Sequence, residues 1–405
     1  MTRKLSLCFG AVLVVGACTR GVPHPLTQRA RLAIKAARVL DPRSGTFDGP
    51  SVVLVNGARI ADVLPASRFH PEMADSVLDL GDLTLLPGLI DSHVHLVIGD
   101  GIHGAALADL QAGFTTVVDL GATSFRVLRV RDSINAGFIP GPRVLAAGLW
   151  IGIKGGICEF TGIGVSGGPE QFRARVRENV AAGADLIKLC VSSWARDAFA
   201  NPDKFEMPED DLGASVDEAH RLGKLIVAHD ISPGGVRAAL RHGINGLVHG
   251  AYVDSATLEK LARDKVFMIP TLASLTAGDT SKAAAALVAA VERAYRAGVP
   301  IVFGTDGGVL PHGRNAEEFL AMAEAGISPG DALRGATVNA AKAWGIADSV
   351  GVIAKGLVAD MIAVPGDPLT DLRVLSRVPF VMARGRVVVT PKDATSSRSQ
   401  VTEGE

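Results

Sequence analysis

Two histidines one residue apart, in Leu89-Ile90-Asp91-Ser92-His93-Val94-His95, can serve a single cation if the stretch is a strand. Alternate side chains of a strand share a face. Taken alone, such a pair is more often two solvated histidines at a strand end than a metal site. A lysine inside the apolar run Leu186-Ile187-Lys188-Leu189-Cys190 carries more information. A buried ammonium is costly unless it is paired or loses its charge. A buried salt bridge or a snorkelling side chain would satisfy Lys188. So would reaction with CO2, which converts the cation into an anion able to bridge two metals. Val227-Ala228-His229 and Leu247-Val248-His249 each end an apolar run in histidine, and Phe303-Gly304-Thr305-Asp306 ends one in aspartate. Each of these is ordinary by itself. Imidazole and carboxylate together suit zinc and similar divalent ions.

The elements that must position these residues can be read from periodicity. Eight short apolar segments, 88–95, 115–119, 143–147, 185–190, 224–229, 246–249, 266–269 and 300–304, read as strands. Helical patterns separate them, among them 169–182, 208–222, 235–241, 255–263 and 281–297. This alternation predicts an α/β fold, a (β/α)8 TIM barrel. A doubly wound open sheet would want a glycine fingerprint after its first strand, and none follows 88–95. His93, His95, Lys188, His229, His249 and Asp306 all fall at or near C-terminal strand ends, the face where barrel enzymes keep their active sites. Further strands are expected at 32–40, 51–60, 76–80, 360–364 and 380–389. They lie at both ends of the chain, so the two termini would meet in a small β-sandwich domain. The expected division is a signal segment 1–17, a tether 18–30, a composite β domain 31–86 with 350–390, a barrel 87–349 and a flexible tail 391–405.

Composition agrees with that division. The chain has 405 residues, 48% of them hydrophobic, enough for a large barrel with a satellite domain. Lys+Arg is 41 against 42 Asp+Glu, a net charge of −1, which argues against a dedicated nucleic-acid binder. At the N-terminus, Arg3 and Lys4 precede a short apolar run, 5–16, too short to span a bilayer as a helix. It ends in Val15-Gly16-Ala17-Cys18, which resembles the lipobox of bacterial lipoproteins. That resemblance implies cleavage before Cys18 and lipidation of its sulfur; simple cleavage near Ala17 is the alternative. Thr19 rather than Asp follows, so the expected location is exported and lipid-anchored, at the outer membrane facing the periplasm. Cys158 and Cys190 then remain, which is no disulfide framework; one bridge between them is allowed and not required.

The joint pattern resembles the metal-dependent amidohydrolase superfamily in its two-metal form with a bridging lysine. Finer segments are similar to the imidazolonepropionase-like and prolidase-like (Xaa-Pro and Xaa-Arg dipeptidase) branch. They include Ala112-Gly113-Phe114-Thr115-Thr116-Val117, Gly141-Pro142-Arg143-Val144, His249-Gly250-Ala251-Tyr252 and Gly356-Leu357-Val358-Ala359-Asp360-Met361. The resemblance implies that His93, His95 and Asp306 bind one divalent ion, His229 and His249 a second, and carbamylated Lys188 both, zinc being the expected metal. It also implies hydrolysis of a C–N bond, amide or peptide, by a hydroxide held between the metals, with Asp306 as acid and base. Tyr252 would donate to the developing oxyanion, or else pack on a loop. His312, on the final loop, would line the substrate pocket.

The chain also departs from the family. Relatives often carry Gly-Gly-His after the third strand, where this chain reads Gly155-Gly156-Ile157-Cys158. After Lys188 it continues Val191-Ser192-Ser193-Trp194 rather than toward a glycine pair. The expected partner is a small molecule or small peptide; because the substrate-facing loops differ, a free dipeptide carboxylate would be recognised differently or not be the ligand. A lactonase or phosphotriesterase-like hydrolase and a non-catalytic binding lipoprotein are the competing readings.

Overall fold

The computed structural model describes residues 29–98, 102–160, 162–249 and 252–391. The signal segment, Cys18, nearly all of the tether and all but the first residue of the tail lie outside them. Among the described residues, no helix is long and apolar enough to cross a membrane.

The barrel begins at Leu89–Val94, whose six residues are all buried. A barrel strand is covered on both faces, so a continuous apolar run rather than alternation is what its sequence shows. Phe114–Asp119 and Arg143–Ala146 follow in parallel. Ile187–Cys190, Ile226–His229, Gly246–Val248 and Phe267–Ile269 form the next parallel run. A bridge between Ile151 and Leu189 joins the two runs.

The eighth strand expected at 300–304 is reduced to a single bridge, Ile301 to Met268. Pro300 has no N–H to give, and the Phe303 N–H leaves the barrel wall to bond the Gly335 carbonyl. The wall still closes. Ser92 N donates to Phe303 O (3.0 Å), Gly307 N to His93 O (3.1 Å) and His95 N to Gly307 O (2.6 Å).

Helices Pro169–Ala181, Glu209–Arg221, Pro233–Arg241, Ser255–Asp264 and Lys282–Arg296 occupy the outer ring. Three start on side-chain caps: Ser232, Asp254 and Ser281 accept from the N–H groups of Gly235, Thr257 and Ala284. Beyond the last strand, Glu317–Glu324 and Pro329–Arg334 add helices that the sequence reading did not place.

The small domain holds two sheets. One orders Arg59–Pro65, Ser51–Asn56, Ala30–Ala36 and Ala74–Asp79; the other runs from Arg386–Val389 through Phe380–Ala383, Met361–Val364, Thr84–Pro87 and Arg38–Asp41 to Thr46–Asp48. Ile34, Val53 and Val55 of the first meet Leu85, Met361, Phe380 and Met382 of the second in one apolar cluster. N- and C-terminal segments therefore complete a single sandwich. Its junction with the barrel is polar: the Arg384 guanidinium donates to the carbonyls of Asn135 and Pro142, both at 3.0 Å, and Gly88 N donates to Asp360 O at 2.8 Å.

At the barrel mouth, Gly121 holds φ +112°, and a Cβ placed there would overlap the Trp150 ring. Both the left-handed backbone and the close ring exclude a side chain. Gly121→Ala should therefore cost about 2–4 kcal/mol in urea denaturation; a loss under about 0.5 kcal/mol would show that the loop relaxes freely.

Candidate metal centre

Strand ends converge on one point. His93 and His95 leave the same face of the first strand, and their Nε2 atoms lie 3.1 Å apart. Asp306 Oδ1, from the end of the eighth segment, lies 3.3 Å from the first and 3.2 Å from the second. The His249 ring sits 5.0 Å from His93 and 4.4 Å from His229, centroid to centroid. One ligand atom each from His93, His249 and Asp306 fall within 4.8 Å of one another. All four imidazoles, Asp306 and Lys188 are buried.

Electrostatics follow from that burial. The interior strips solvent from each imidazole, and neighbouring cations add to the effect, so His93 and His249 are held well below the ordinary histidine range. His229 falls to about 3, chiefly by desolvation and then by the charge of Lys188. Desolvation takes Lys188 down to about 7, although Asp306 pulls the other way. The Lys188 Nζ has no hydrogen-bond partner among the described residues, and neither does His93 Nδ1. Buried imidazoles, a carboxylate and an amine without a hydrogen-bond partner among the described residues fit a divalent cation.

The supporting atoms orient the rings. His95 Nδ1 donates to the Gly121 carbonyl at 2.8 Å, which leaves its Nε2 lone pair facing Asp306. His249 Nδ1 pairs with the Thr271 hydroxyl at 2.8 Å. Asp91 lies fully buried beneath His93. It accepts from His93 N (3.1 Å), Thr305 N (3.0 Å), Thr305 Oγ1 (2.6 Å) and Asn315 Nδ2 (2.8 Å). It thereby ties the first strand to the segment carrying Asp306. Burial raises its carboxyl to about 7 against those four donors. Asp119 does similar work, accepting from Leu96 N (2.7 Å) and Gly121 N (2.9 Å). Glu318 accepts from the N–H groups of Leu272 (3.0 Å) and Ala273 (2.7 Å), just past Thr271.

Backbone strain gathers at the same place. His249, Thr271 and Asp306 hold φ of 85°, 48° and 61°. Such conformations cost about 1–3 kcal/mol each for residues other than glycine. They persist because the surrounding hydrogen bonds over-determine them.

The structure brings His93, His95, Lys188, His229, His249 and Asp306 together. Tyr252 and His312 stand apart from the roles expected for them. The single Tyr252 proton goes to the Ala283 carbonyl at 2.9 Å, so it could serve an oxyanion only by giving up that bond. His312 is mostly buried, with Nδ1 2.8 Å from Asp109 Oδ2, so it braces the final loop against helix Ile102–Gln111. Asp91, Thr271, Asn315 and Trp150 were missed. Asp91 carried a sequence signal, a carboxylate inside an apolar strand two residues before His93; the others act only through tertiary contacts. Cys158 and Cys190 form a disulfide, with Cα atoms 6.2 Å apart.

The family model described as the amidohydrolase family matches residues 84–388. Ochratoxinase from Aspergillus niger is 28% identical over 349 residues, covering 72% of each chain. An uncharacterized protein of Mycobacterium tuberculosis is 30% identical over 347 residues, covering 77% of this chain and 87% of that one. Among solved structures, a Xaa-Pro dipeptidase with bound methionine superposes with a TM-score of 0.81 at 27% identity, covering 88% of this chain and 99% of that one.

Two outcomes are expected. Thr271→Val should weaken divalent-ion binding about 10–100-fold in titration calorimetry, because the His249 ring loses its orienting partner; unchanged affinity would make Thr271 incidental. Glu318 is raised by burial from 4.5 to about 8. Between those values the folded chain keeps a proton that the unfolded chain has released, so this group's contribution to stability falls as pH rises through the window. Glu318→Gln should therefore gain melting temperature relative to the parent between about pH 5 and pH 9; a pH-independent difference would contradict the assignment.

Proposed function

The chain belongs to the amidohydrolase family, and on that premise we propose that it hydrolyses an amide or peptide C–N bond in a small substrate, with two divalent ions at the barrel mouth. His93, His95 and Asp306 would hold one ion, and His229 and His249 the other. Lys188 would bridge them as its CO2-derived carbamate. Zinc is the ion this nitrogen-rich set suits best. When bound, such ions supply Lewis acidity, polarising the scissile carbonyl and bringing the pKa of a water near neutrality.

The observation that carries this reading is the Lys188 amine. It is 2% exposed and has no hydrogen-bond partner among the described residues, with Asp306 and four imidazoles around the same pocket. A neutral amine can attack CO2 through its nitrogen lone pair, forming an N–C bond and releasing one proton. The product is an anion, which removes the burial conflict that the free ammonium creates. Asp306 Oδ1 faces the same pocket and can accept a proton from the attacking water. Returned to the leaving nitrogen, that proton lets the C–N bond break to an amine rather than an amide anion. The dipeptidase and ochratoxinase relatives support the amide reading. The lipobox-like segment extends it to an exported enzyme anchored through Cys18.

Asp306→Asn should lower turnover of a cleaved amide by roughly 10²–10⁴-fold while the fold, read by circular dichroism, is retained. Lys188→Ala should reduce bound metal from two equivalents per chain to one or none, read by plasma mass spectrometry. Full metal content in Lys188→Ala would refute the bridge, and near-parental turnover in Asp306→Asn would move the proton transfer to another group.

A further inference from the structure

Large apolar side chains are exposed around the end of the barrel that carries the ligands. Ile98 follows the first strand, Phe160 the third, Trp194 and Phe199 the fourth, and Val309 the last. These side chains lie on segments that leave the ligand-bearing strand ends, where a substrate entering a barrel meets them. Two aromatic walls descend from this rim to the ligands. On one side, Phe160 packs at 5.3 Å on Trp150, and Trp150 meets His95 edge-on at 5.3 Å. On the other, Trp194 meets His229 edge-on at 6.2 Å. His95 directly follows the first strand and His229 ends the fifth, strands that stand opposite one another in an eight-stranded barrel.

The first wall is fixed. Trp150 is buried, and its Nε1 donates to the Leu120 carbonyl at 2.9 Å. The loop bearing Phe160 is paired at its base, Lys154 N to Val165 O and Val165 N to Gly152 O, both 2.9 Å. Ile157 N donates to Glu206 Oε2 at 2.8 Å. The Cys158–Cys190 disulfide then ties this loop to the strand of Lys188, two residues from Phe160. Phe160 and Trp194 keep 56% and 52% of their surface open, so both present a free face. Arg196, beside Trp194, is already placed 3.8 Å from Asp279.

We propose that Phe160 on Trp150, and Trp194 opposite, form an aromatic clamp for an aryl or similarly large apolar group of the substrate, with the Cys158–Cys190 disulfide setting one jaw. The proposal rests on the hydrolase reading for its chemistry but makes a separate claim about recognition. A flat apolar group between the jaws would bury both aromatic faces and lie beside His95 and His229. A substrate lacking it would leave those faces in water.

The test uses the full, metal-loaded chain and two readouts. Binding of 2-naphthamide, followed by fluorescence anisotropy, needs no turnover. Phe160→Ala and Trp194→Ala should each weaken it roughly 3–10-fold. The kcat/KM ratio of N-(2-naphthoyl)glycine to N-acetylglycine should fall by a similar factor, mainly through KM, with metal content unchanged. The Cys158→Ser/Cys190→Ser variant should move both readouts in the same direction. Both aromatic residues are exposed, so their truncation leaves the core intact. Unchanged naphthamide binding in both aromatic variants overturns the clamp, whether or not the conjugates are cleaved. Loss of that binding with neither conjugate cleaved supports the clamp and counts against the hydrolase reading.

Discussion

A lysine amine buried on an apolar strand, with no hydrogen-bond partner among the described residues, is the constraint around which this molecule is organised. Lys188 sits on a strand whose neighbours are apolar, so the chain has taken it out of water. Such a group is stable only if its charge is removed or answered. The nearby carboxylate of Asp306 answers it in part, and the four imidazoles do not answer it at all. Two divalent ions and a carbamate would turn a set of mutually unfavourable groups into a coordinated one.

Much of the remaining architecture serves to hold that arrangement. Asp91 ties His93 to the segment carrying Asp306, and Asp119 fixes the turn at Gly121 whose carbonyl orients His95. Glu318 secures the turn after Thr271, which in turn orients His249. Left-handed backbone at His249, Thr271 and Asp306 shows that these positions are forced rather than relaxed. The sandwich stands away from the chemistry. Arg384 reaches from it to the carbonyls of Asn135 and Pro142 on the barrel.

The sequence made the barrel legible because its strands are short, buried on both faces and separated by helical patterns with caps. The candidate ligands were legible because all but Lys188 fall at or near the end of such a run, and strand alternation assigns a face without any knowledge of the fold. The eighth strand was harder to read, because Pro300 and the Phe303–Gly335 bond break its ladder in a way an apolar run does not reveal. The Cys158–Cys190 bridge depends on a Cα approach that a sequence separation of 32 does not encode. Tyr252 and His312 were assigned by proximity in sequence, whereas their partners, Ala283 and Asp109, are distant in it. Residue type and strand period fix which groups can act together; hydrogen-bond partners are set by packing.

Anomalous diffraction from crystals of the zinc-loaded chain would test the central claim most directly. Two zinc peaks about 3.5–4 Å apart are expected, one beside His93, His95 and Asp306 and one beside His229 and His249, with extra density on Lys188 Nζ joining them. A single peak, or an unmodified Lys188 directed away from the metal, would contradict it.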